Sequence, residues 1–317
     1  MDMQPEPFTL LMTVYGGDRE EYVRDAFRSA VHRQTLRPDQ VVLVQDGPVP
    51  PGLGACLRSL VADSPVEVTF VPLEHNRGLG PALDAGLHAA RHDIVARMDA
   101  DDIAMPHRFQ EQVPLVRAGA DLVGAGLLEF GEDTADVVGR RIPPSDPADI
   151  ARYSRLHDPF NHPTVVYRRS AVIAVGGYGD LPLMEDYWLF ARMIAQGARV
   201  VNIAEPLVYY RVGDGAYARR GGRDLLRSEL RLQRAMRGEG FITRPQYWRN
   251  VVVRGGYRLV PTAIRRPVYR MLVAPYGARR NRSRDRAALT FAPPPVKGPY
   301  VPRHARPAEP SPPHPPL

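Results

Sequence analysis

The sequence predicts an α/β protein whose first half is a mostly parallel sheet and whose less regular second half continues the same unit. Two observations carry this expectation. Apolar runs of strand length alternate with amphipathic stretches of helix length from the N-terminus on. At 317 residues the chain is also long enough for roughly two domains of ~100 to 200 residues, with a core large enough to shape a ligand cleft. Taken in order, Thr9 to Val14 reads as a buried strand. Tyr22 to Val31, with apolar pairs at Tyr22/Val23, Ala26/Phe27 and Ala30/Val31, reads as the helix that covers it. Val41 to Val44 is the next strand, followed by a helix over Leu53 to Val61, a strand over Val66 to Val71, a helix over Leu79 to Ala90 and a strand over Ile94 to Met98. After a helix from Pro106 to Arg117, strands are expected at Leu122 to Gly126, Thr164 to Tyr167, Arg199 to Ile203 and Leu207 to Arg211, with a helix over Asp186 to Gln196. Arg223 to Met236 reads as a charged helix, and Tyr247 to Val273 mixes aliphatic and aromatic residues with arginines and no acid. Eleven prolines in the last 26 residues predict an extended, disordered tail.

Composition narrows the classes. The single cysteine, Cys56, can form neither an internal disulfide nor a cysteine-built zinc site, so a reducing cytoplasm is the expected compartment. The start, Met1 to Pro7, is acidic and proline-broken where a signal peptide would be basic and then apolar, and no stretch reaches the ~18 apolar residues of a membrane span. The net charge of +7 is unevenly spread. From Arg244 on, fifteen Lys and Arg face only Asp285 and Glu309, which puts +13 there and leaves −6 on the first 243 residues. Such a basic end attracts anionic lipid or nucleic acid alike.

In a parallel sheet, ligands bind beyond the carboxyl ends of the strands, which directs attention to Tyr15, Asp46, Asn76 with Arg77, and the run Asp99-Ala100-Asp101-Asp102. Three carboxylates within four residues repel one another and raise one another's pKa unless a divalent cation sits among them. Oxygen ligands without cysteine favour Mg²⁺ or Mn²⁺, whose remaining positions are commonly filled by water and phosphate oxygens, so a phosphorylated substrate is expected. The alternative is an acidic loop that caps the helix at Pro106. Asp46 ends a strand on the same edge, where a carboxylate can accept hydrogen bonds from a base or ribose or simply close an Asp-Gly turn. Asn76-Arg77-Gly78-Leu79-Gly80 offers a cation and two glycines that allow close backbone approach. It departs from the Gly-x-Gly-x-x-Gly fingerprint, so a nicotinamide or flavin cofactor is not supported.

Thr13-Val14-Tyr15, Val44-Gln45-Asp46-Gly47, Asn76-Arg77-Gly78-Leu79-Gly80, Met98-Asp99-Ala100-Asp101-Asp102 and Glu185-Asp186-Tyr187-Trp188-Leu189 stand in the order and spacing of family 2 glycosyltransferases. The chain resembles this family over about residues 8 to 222, and within it the branch of capsular and exopolysaccharide, amylovoran-type synthesis. The resemblance implies a GT-A fold, a Rossmann-like nucleotide-binding sheet with a continuous acceptor-binding half, followed by a C-terminal helical extension. It implies an inverting hexosyltransferase that uses a nucleotide-diphosphate sugar and Mn²⁺ or Mg²⁺. Carried over by position, Thr13, Tyr15, Asp46, Arg77 and Asp99 would hold the nucleotide, Asp101 the metal, and Asp186 would act as base. Glu185 would orient the acceptor or be a solvated neighbour.

The division expected is a catalytic domain over residues 8–222, a basic helical extension over 223–285 and a proline-rich tail over 286–317. His162, in Asn161-His162-Pro163-Thr164, is either an acceptor-site or metal ligand or a structural histidine that bonds a turn. Where many relatives carry a histidine after the last strand, this chain reads Tyr210-Arg211-Val212-Gly213. Arg219 and Arg220 either close over the diphosphate as a mobile loop or form a solvated turn. In the basic C-terminal segment, Val251 to Val253 and further apolar residues line one side, and Arg249, Arg254 and further arginines are expected to face anionic headgroups. The alternative is packing on the catalytic domain or pairing of subunits. The expected partners are therefore the sugar donor, a glycan or lipid-linked acceptor and the inner face of the plasma membrane, with no nucleic acid. The rivals are a sugar nucleotidylyltransferase, for which Tyr15-Gly16-Gly17-Asp18-Arg19 is a poor loop, and a non-enzymatic basic lipid- or nucleic-acid-binding protein.

Overall fold

The first apolar run, which alternates its side chains between two buried faces, becomes β1 (Phe8–Tyr15) in a computed structural model that describes residues 5–212 and 223–256. There follow α1 (Glu20–Phe27), which runs on into one π-helical turn over Arg28–His32, β2 (Gln40–Asp46), α2 (Pro51–Ala62), β3 (Glu67–Pro72), α3 (Leu79–Ala89) and β4 (Ile94–Met98). The second half comprises β5 (Ile103–Ala104), α4 (Arg108–Arg117), β6 (Leu122–Phe130), β7 (Val137–Arg141), α5 (Pro147–Tyr153), a 3-10 turn at His162–Thr164, β8 (Val166–Arg168), α6 (Arg169–Ala174), α7 (Glu185–Ala195) and β9 (Val200–Arg211). At the C-terminal end lie α8 (Arg223–Gly238), α9 (Arg244–Asn250) and a π-helical turn over Val251–Gly255.

The strands form one sheet in the order β3-β2-β1-β4-β8-β6-β9-β5, with β7 paired to β6. Helical crossovers make β3, β2, β1 and β4 mutually parallel, as the alternating pattern requires. Helices cover both faces, so the strands carry apolar residues in both directions. Leu10, Met12, Val41 and Leu43 pack with Val23, Phe27, Leu57 and Phe109 on one side. Leu11, Val42 and Val44 pack with Leu83, Leu87, Leu189 and Phe190 on the other.

The second half corrects the expected elements. The sheet is mixed there, because β8 runs antiparallel to both β4 and β6 while β6 and β9 are parallel. The two strands expected between residues 199 and 211 are one strand, β9, which crosses Glu205-Pro206 through a shift of register against β6. Proline lacks the amide that a regular ladder would use, hence the irregularity. The strand expected from Thr164 starts at Val166, because Pro163 fits the first turn of a 3-10 helix instead. The short elements β5, β7, α5 and α6 carry too little periodicity to be read from the sequence.

The C-terminal helices pack against α7. Leu225, Leu232, Met236, Phe241, Ile242 and Tyr247 form a core with Tyr187 and Ala191, and a capping box between Thr243 and Gln246 starts α9. Arg254 corrects one expectation, since its guanidinium does not face outward. It donates from Nε and Nη2 to the buried Glu229 carboxylate at 2.6 and 2.9 Å and from Nη1 to the Leu156 carbonyl at 2.8 Å. Arg249 stays exposed while its guanidinium donates to Asn250 Oδ1. Trp248, Val252 and Val253 stay exposed. The proline-rich tail, and the part of the basic segment from residue 257 on, lie outside the described residues. Arg254→Leu, which removes the cation from a wholly buried Glu229, is expected to cost about 3–5 kcal/mol in urea unfolding, and the double variant with Glu229→Leu to cost less.

Candidate active site

Parallel strands deliver the ends of β1, β2 and β4 to one edge of the sheet. Tyr15 stands opposite Asp46 in register, and Met12 opposite Met98 directly before the acidic run. Asp99, Asp101 and Asp102 each place a carboxylate oxygen within 4.8 Å of the others. Beneath them lies Arg97, only 1% exposed, whose two terminal nitrogens grip both oxygens of Asp99, with Nη1 to Oδ2 at 2.8 Å. Asp102 is wholly buried, accepts the Arg211 amide at 2.8 Å on Oδ1, and leaves Oδ2 without a hydrogen-bond partner. Burial together with the other carboxylates pushes Asp101 up to about 6 and Asp102 well above the ordinary carboxylate range. The reading of this run as a helix cap does not hold, because the N-cap of α4 is His107. Hard oxygen ligands, mutual repulsion and an orphaned buried carboxylate oxygen all suit a divalent cation.

Two residues outside the sequence reading join this cluster. Asp18 accepts the Tyr15 amide at 2.9 Å, and burial, with Asp101 and Asp99 adding to it, pushes its carboxyl up to about 7. Its only signal in the sequence was a position just beyond the first strand. Arg211 donates from Nε to the Asp101 carbonyl at 2.9 Å while its guanidinium lies 3.8 Å over the Tyr22 ring, so it braces the cluster from behind.

The residues expected to hold the nucleotide are brought to the same edge in different ways. Thr13 is half-buried on β1 and Tyr15 is 50% exposed at its end. The Asp46 carboxylate accepts the backbone amides of Arg77 at 2.7 Å and Gly78 at 3.0 Å, so it folds the Asn76–Gly80 loop. Gly47 permits this with φ 82°, and a Cβ there would stand 2.4 Å from the Asn76 nitrogen. The Arg77 side chain is exposed. Gly80, in the first turn of α3, packs against Glu185, where a Cβ would be 3.4 Å from that of Glu185. The N-terminal ends of α3 and α7 are thereby neighbours.

At that second end sits Asp186. It is the second residue of α7, whose N-cap is Met184, so it is not the helix cap. Its Oδ1 accepts the Tyr187 amide at 2.7 Å, and Oδ2 lies 3.7 Å from His162 Nδ1. Burial raises its pKa, with Asp99 adding to the rise and Arg97 opposing it. Burial and Asp186 push Glu185 up to about 7, and burial and Asp186 likewise raise Asp158. His162 is itself buried and kept neutral by that burial and by Arg97. It stands behind Asp186 and is not a member of the Asp99-Asp101-Asp102 group. Arg219 and Arg220 lie outside the described residues.

The site thus combines an acidic cluster at the sheet edge with carboxylates at the start of α7. The family model for glycosyl transferase family 2 matches residues 9–176. The chain belongs to glycosyl transferase family 2. This transferase is 37% identical over 264 residues to an uncharacterized glycosyltransferase of Haemophilus influenzae, covering 83% of this chain and 97% of that one. It is 36% identical to the amylovoran biosynthesis glycosyltransferase of Erwinia amylovora (83% and 97% covered). It is 31% identical to the UDP-Gal:alpha-D-GlcNAc-diphosphoundecaprenol beta-1,3-galactosyltransferase of Escherichia coli (84% and 96% covered). Among solved structures, residues 1–349 of S. aureus TarS match with a TM-score of 0.56 at 15% identity, covering 84% of the transferase and 74% of that chain, which shows the GT-A fold alone.

The acids raised by burial set a pH dependence. A carboxyl whose native pKa exceeds its unfolded value keeps its proton longer in the folded state, so stability falls as pH rises from the unfolded value near ~4. For Asp18 and Glu185 the loss is complete above about 7, and for Asp101 above about 6. The melting temperature of the metal-free transferase should therefore fall between about pH 4 and 7. Asp18→Asn should flatten that fall, and Mn²⁺ should raise the melting temperature more at pH 8 than at pH 5. Gly47→Ala, which meets both a positive φ and the Asn76 backbone, is expected to cost about 2 kcal/mol or more in the same urea titration.

Proposed function

We propose that the transferase moves a hexosyl group, with inversion, from a nucleotide-diphosphate sugar to a hydroxyl of a cell-surface polysaccharide or lipid-linked glycan, with Mn²⁺ or Mg²⁺ as cofactor. The observation that carries this reading is the pairing of two acidic groups around one buried arginine. The Asp99-Asp101-Asp102 cluster ends β4, Asp186 opens α7, and Arg97 and Asp99 act electrostatically on Asp186. The relatives support the substrate class, two of them being named for amylovoran synthesis and for galactosyl transfer to a diphosphoundecaprenol-linked sugar. UDP is the favoured nucleotide, since the E. coli relative is named for UDP-Gal and TarS was solved with UDP.

In this reading Thr13, Tyr15, Asp46, Arg77 and Asp99 hold the nucleotide at the sheet edge, and Asp101 is the principal metal ligand. The cation, when bound, neutralises the charge gathering on the leaving diphosphate. Asp186 takes the proton of the acceptor hydroxyl as its oxygen attacks the anomeric carbon from the face opposite the diphosphate, and the bond from that carbon to the diphosphate oxygen breaks. Such a base is worth typically ~10² to 10⁴-fold. Burial strengthens Asp186 in this role, because a raised pKa increases its proton affinity. Glu185 and Asp158 flank the acceptor position.

The catalytic unit would span residues 8–222, with the helices after it forming an extension that ends in the proline-rich tail. Among the described residues no helix is long and apolar enough to cross a membrane. Trp248, Val252 and Val253 are exposed on α9 and the turn after it, and with the basic residues that follow they would hold the enzyme peripherally at the inner face of the membrane beside a lipid-linked acceptor.

Calorimetry with UDP, GDP, dTDP and CDP, each with and without Mn²⁺, tests the donor site. UDP alone is expected to bind tightly, and only with metal, and Asp101→Ala should lose the metal-dependent part. UDP-galactose with a GlcNAc-diphospholipid is the first substrate pair to assay. Asp186→Asn should keep UDP binding and lose transfer by ~10² or more. Wild-type turnover by Asp186→Asn overturns its assignment as base.

A further inference from the structure

Behind Asp186 runs a buried file of polar groups that the reaction as described does not use. Tyr167 on β8 meets the Tyr178 hydroxyl at 3.2 Å, and Tyr178 meets His162 Nε2 at 3.1 Å. The opposite nitrogen of the same ring, Nδ1, faces Asp186 Oδ2 at 3.7 Å. Both tyrosines are wholly buried, and burial raises their pKa, so their hydroxyls keep their protons. The imidazole is locked between Tyr178, at 5.5 Å between ring centroids, and Phe190, at 6.0 Å, within the 3-10 turn started by Pro163. Tyr178 is fixed in turn, since its amide donates to Asp84 Oδ1 at 2.9 Å.

With Asp186 ionised, one proton arrangement is favoured, because the ring nitrogen that faces a carboxylate then carries the hydrogen. Tyr167 donates to Tyr178, Tyr178 donates to Nε2, and Nε2 therefore carries no hydrogen, which leaves the ring proton on Nδ1, directed at Asp186. At 3.7 Å this last contact is an electrostatic one that a small closure turns into a hydrogen bond, as catalytic contacts commonly do once substrate is in place. We propose that His162 is a positioning residue for the base, a neutral imidazole whose Nδ1–H, fixed in that tautomer by Tyr178 and Tyr167, aims the Asp186 carboxylate at the acceptor hydroxyl. This rests on Asp186 being the base. It also gives His162 a role other than metal or acceptor ligand.

The consequence for pH follows from the groups that face Asp186. Glu185 beside it, Asp158 and Asp99 disfavour its ionised form, while Arg97 favours it. Arg97 also opposes protonation of His162. A donated Nδ1–H adds to the stabilisation of the carboxylate, so removing it moves the ionisation of Asp186 to higher pH.

Two measurements on the full chain test this. Two-bond proton–nitrogen NMR of the histidine rings should show His162 neutral with its proton on Nδ1 from pH 8 down to well below the ordinary ~6.5. Tyr178→Phe should shift its Nε2 resonance and Asp186→Asn its Nδ1. A proton on Nε2, or uptake of charge near the ordinary value, overturns the proposal without any substrate. In the assay with UDP-galactose and GlcNAc-diphospholipid, His162→Ala should lose ~10- to 100-fold in kcat with the donor KM within about twofold. The acid limb of its pH profile should move upward, and His162→Asn, which keeps an N–H donor near the Nδ1 position, should recover most of both. Wild-type rate and profile in His162→Ala, or equal losses in both variants with an unmoved profile, overturn it. UDP titration shows that each variant is folded. An inactive Asp186→Asn beside an unaffected His162→Ala condemns the positioning role alone, whereas an active Asp186→Asn condemns the base itself.

Discussion

The rest of the site depends on one buried cation. Arg97 lies beneath Asp99 and within electrostatic reach of Asp101, Asp102, Glu185 and Asp186, and it is 1% exposed. An isolated guanidinium at that depth would be very costly, and so would the carboxylates. Together they are tolerable, because Arg97 grips Asp99 at both oxygens and lowers the proton affinity of Asp101, Asp102, Glu185 and Asp186. The backbone carries it firmly, since its carbonyl accepts a hydrogen bond at 2.6 Å from Arg108, itself buried and depressed to about 9 by burial and by the nearby Arg97 charge. One arginine cannot neutralise so many acids. The surplus appears as raised pKa values, and a surplus of negative charge is what a metal and a developing cationic sugar both require.

The second constraint reaches the side of Asp158, His162 and Asp186 from the far end of the chain. The amides from Ser154 to Leu156 bond back to α5, but the carbonyls of this segment are held by later residues. Tyr187 donates to the Ser154 carbonyl at 2.8 Å, Asn250 to that of Arg155 at 2.7 Å and Arg254 to that of Leu156 at 2.8 Å. Arg155 in turn reaches the Phe241 carbonyl. A loop carries backbone groups that must find partners somewhere, and here α9 and the turn after it supply them. The helices after β9 are thus part of the frame that holds the segment before Asp158 and His162, which explains why Arg254 is spent on Glu229 rather than on a lipid surface.

What was legible in the sequence follows from how local each signal is. The parallel strands of the first half and their ligand edge could be read because β1, β2 and β4 are long apolar runs closed by helices, and because Asp46 and Asp99 to Asp102 end them. The mixed half could not, since β5 is two residues long and β8 three, and both owe their existence to partners far along the chain. The same division holds for the site. Asp101 and Asp186 stand in short motifs, whereas Asp18, Asp158 and Arg211 reach the cleft only through the fold. His162 was visible as a residue but not as a neighbour of Asp186, because the 23 positions between them include α6 and a turn that no period announces. Asp46 is intermediate. Its place at a strand end was readable, but its grip on the Arg77 and Gly78 amides depends on a glycine with positive φ.

The two acidic groups are also coupled, and the sign of the coupling favours the reaction. Asp99 acts on Asp186 and Glu185 across the cleft, raising the proton affinity of both, while Arg97 acts in the opposite direction. Charge changes near Asp99 are therefore felt by Asp186, the proposed base. In a partly buried cleft such influence extends further than it would in water, because the effective dielectric is lower and mobile ions are excluded. Negative charge gathering on a departing diphosphate near Asp99 would act on Asp186 as Asp99 does, increasing its hold on a proton at the stage when the acceptor hydroxyl gives one up. Positive charge developing on the sugar between the two groups is stabilised by both. A single buried arginine, pulling against these acids from below, favours the ionised form of Asp186 that the proposed reaction needs at its start, while burial adds to the proton affinity it needs afterwards.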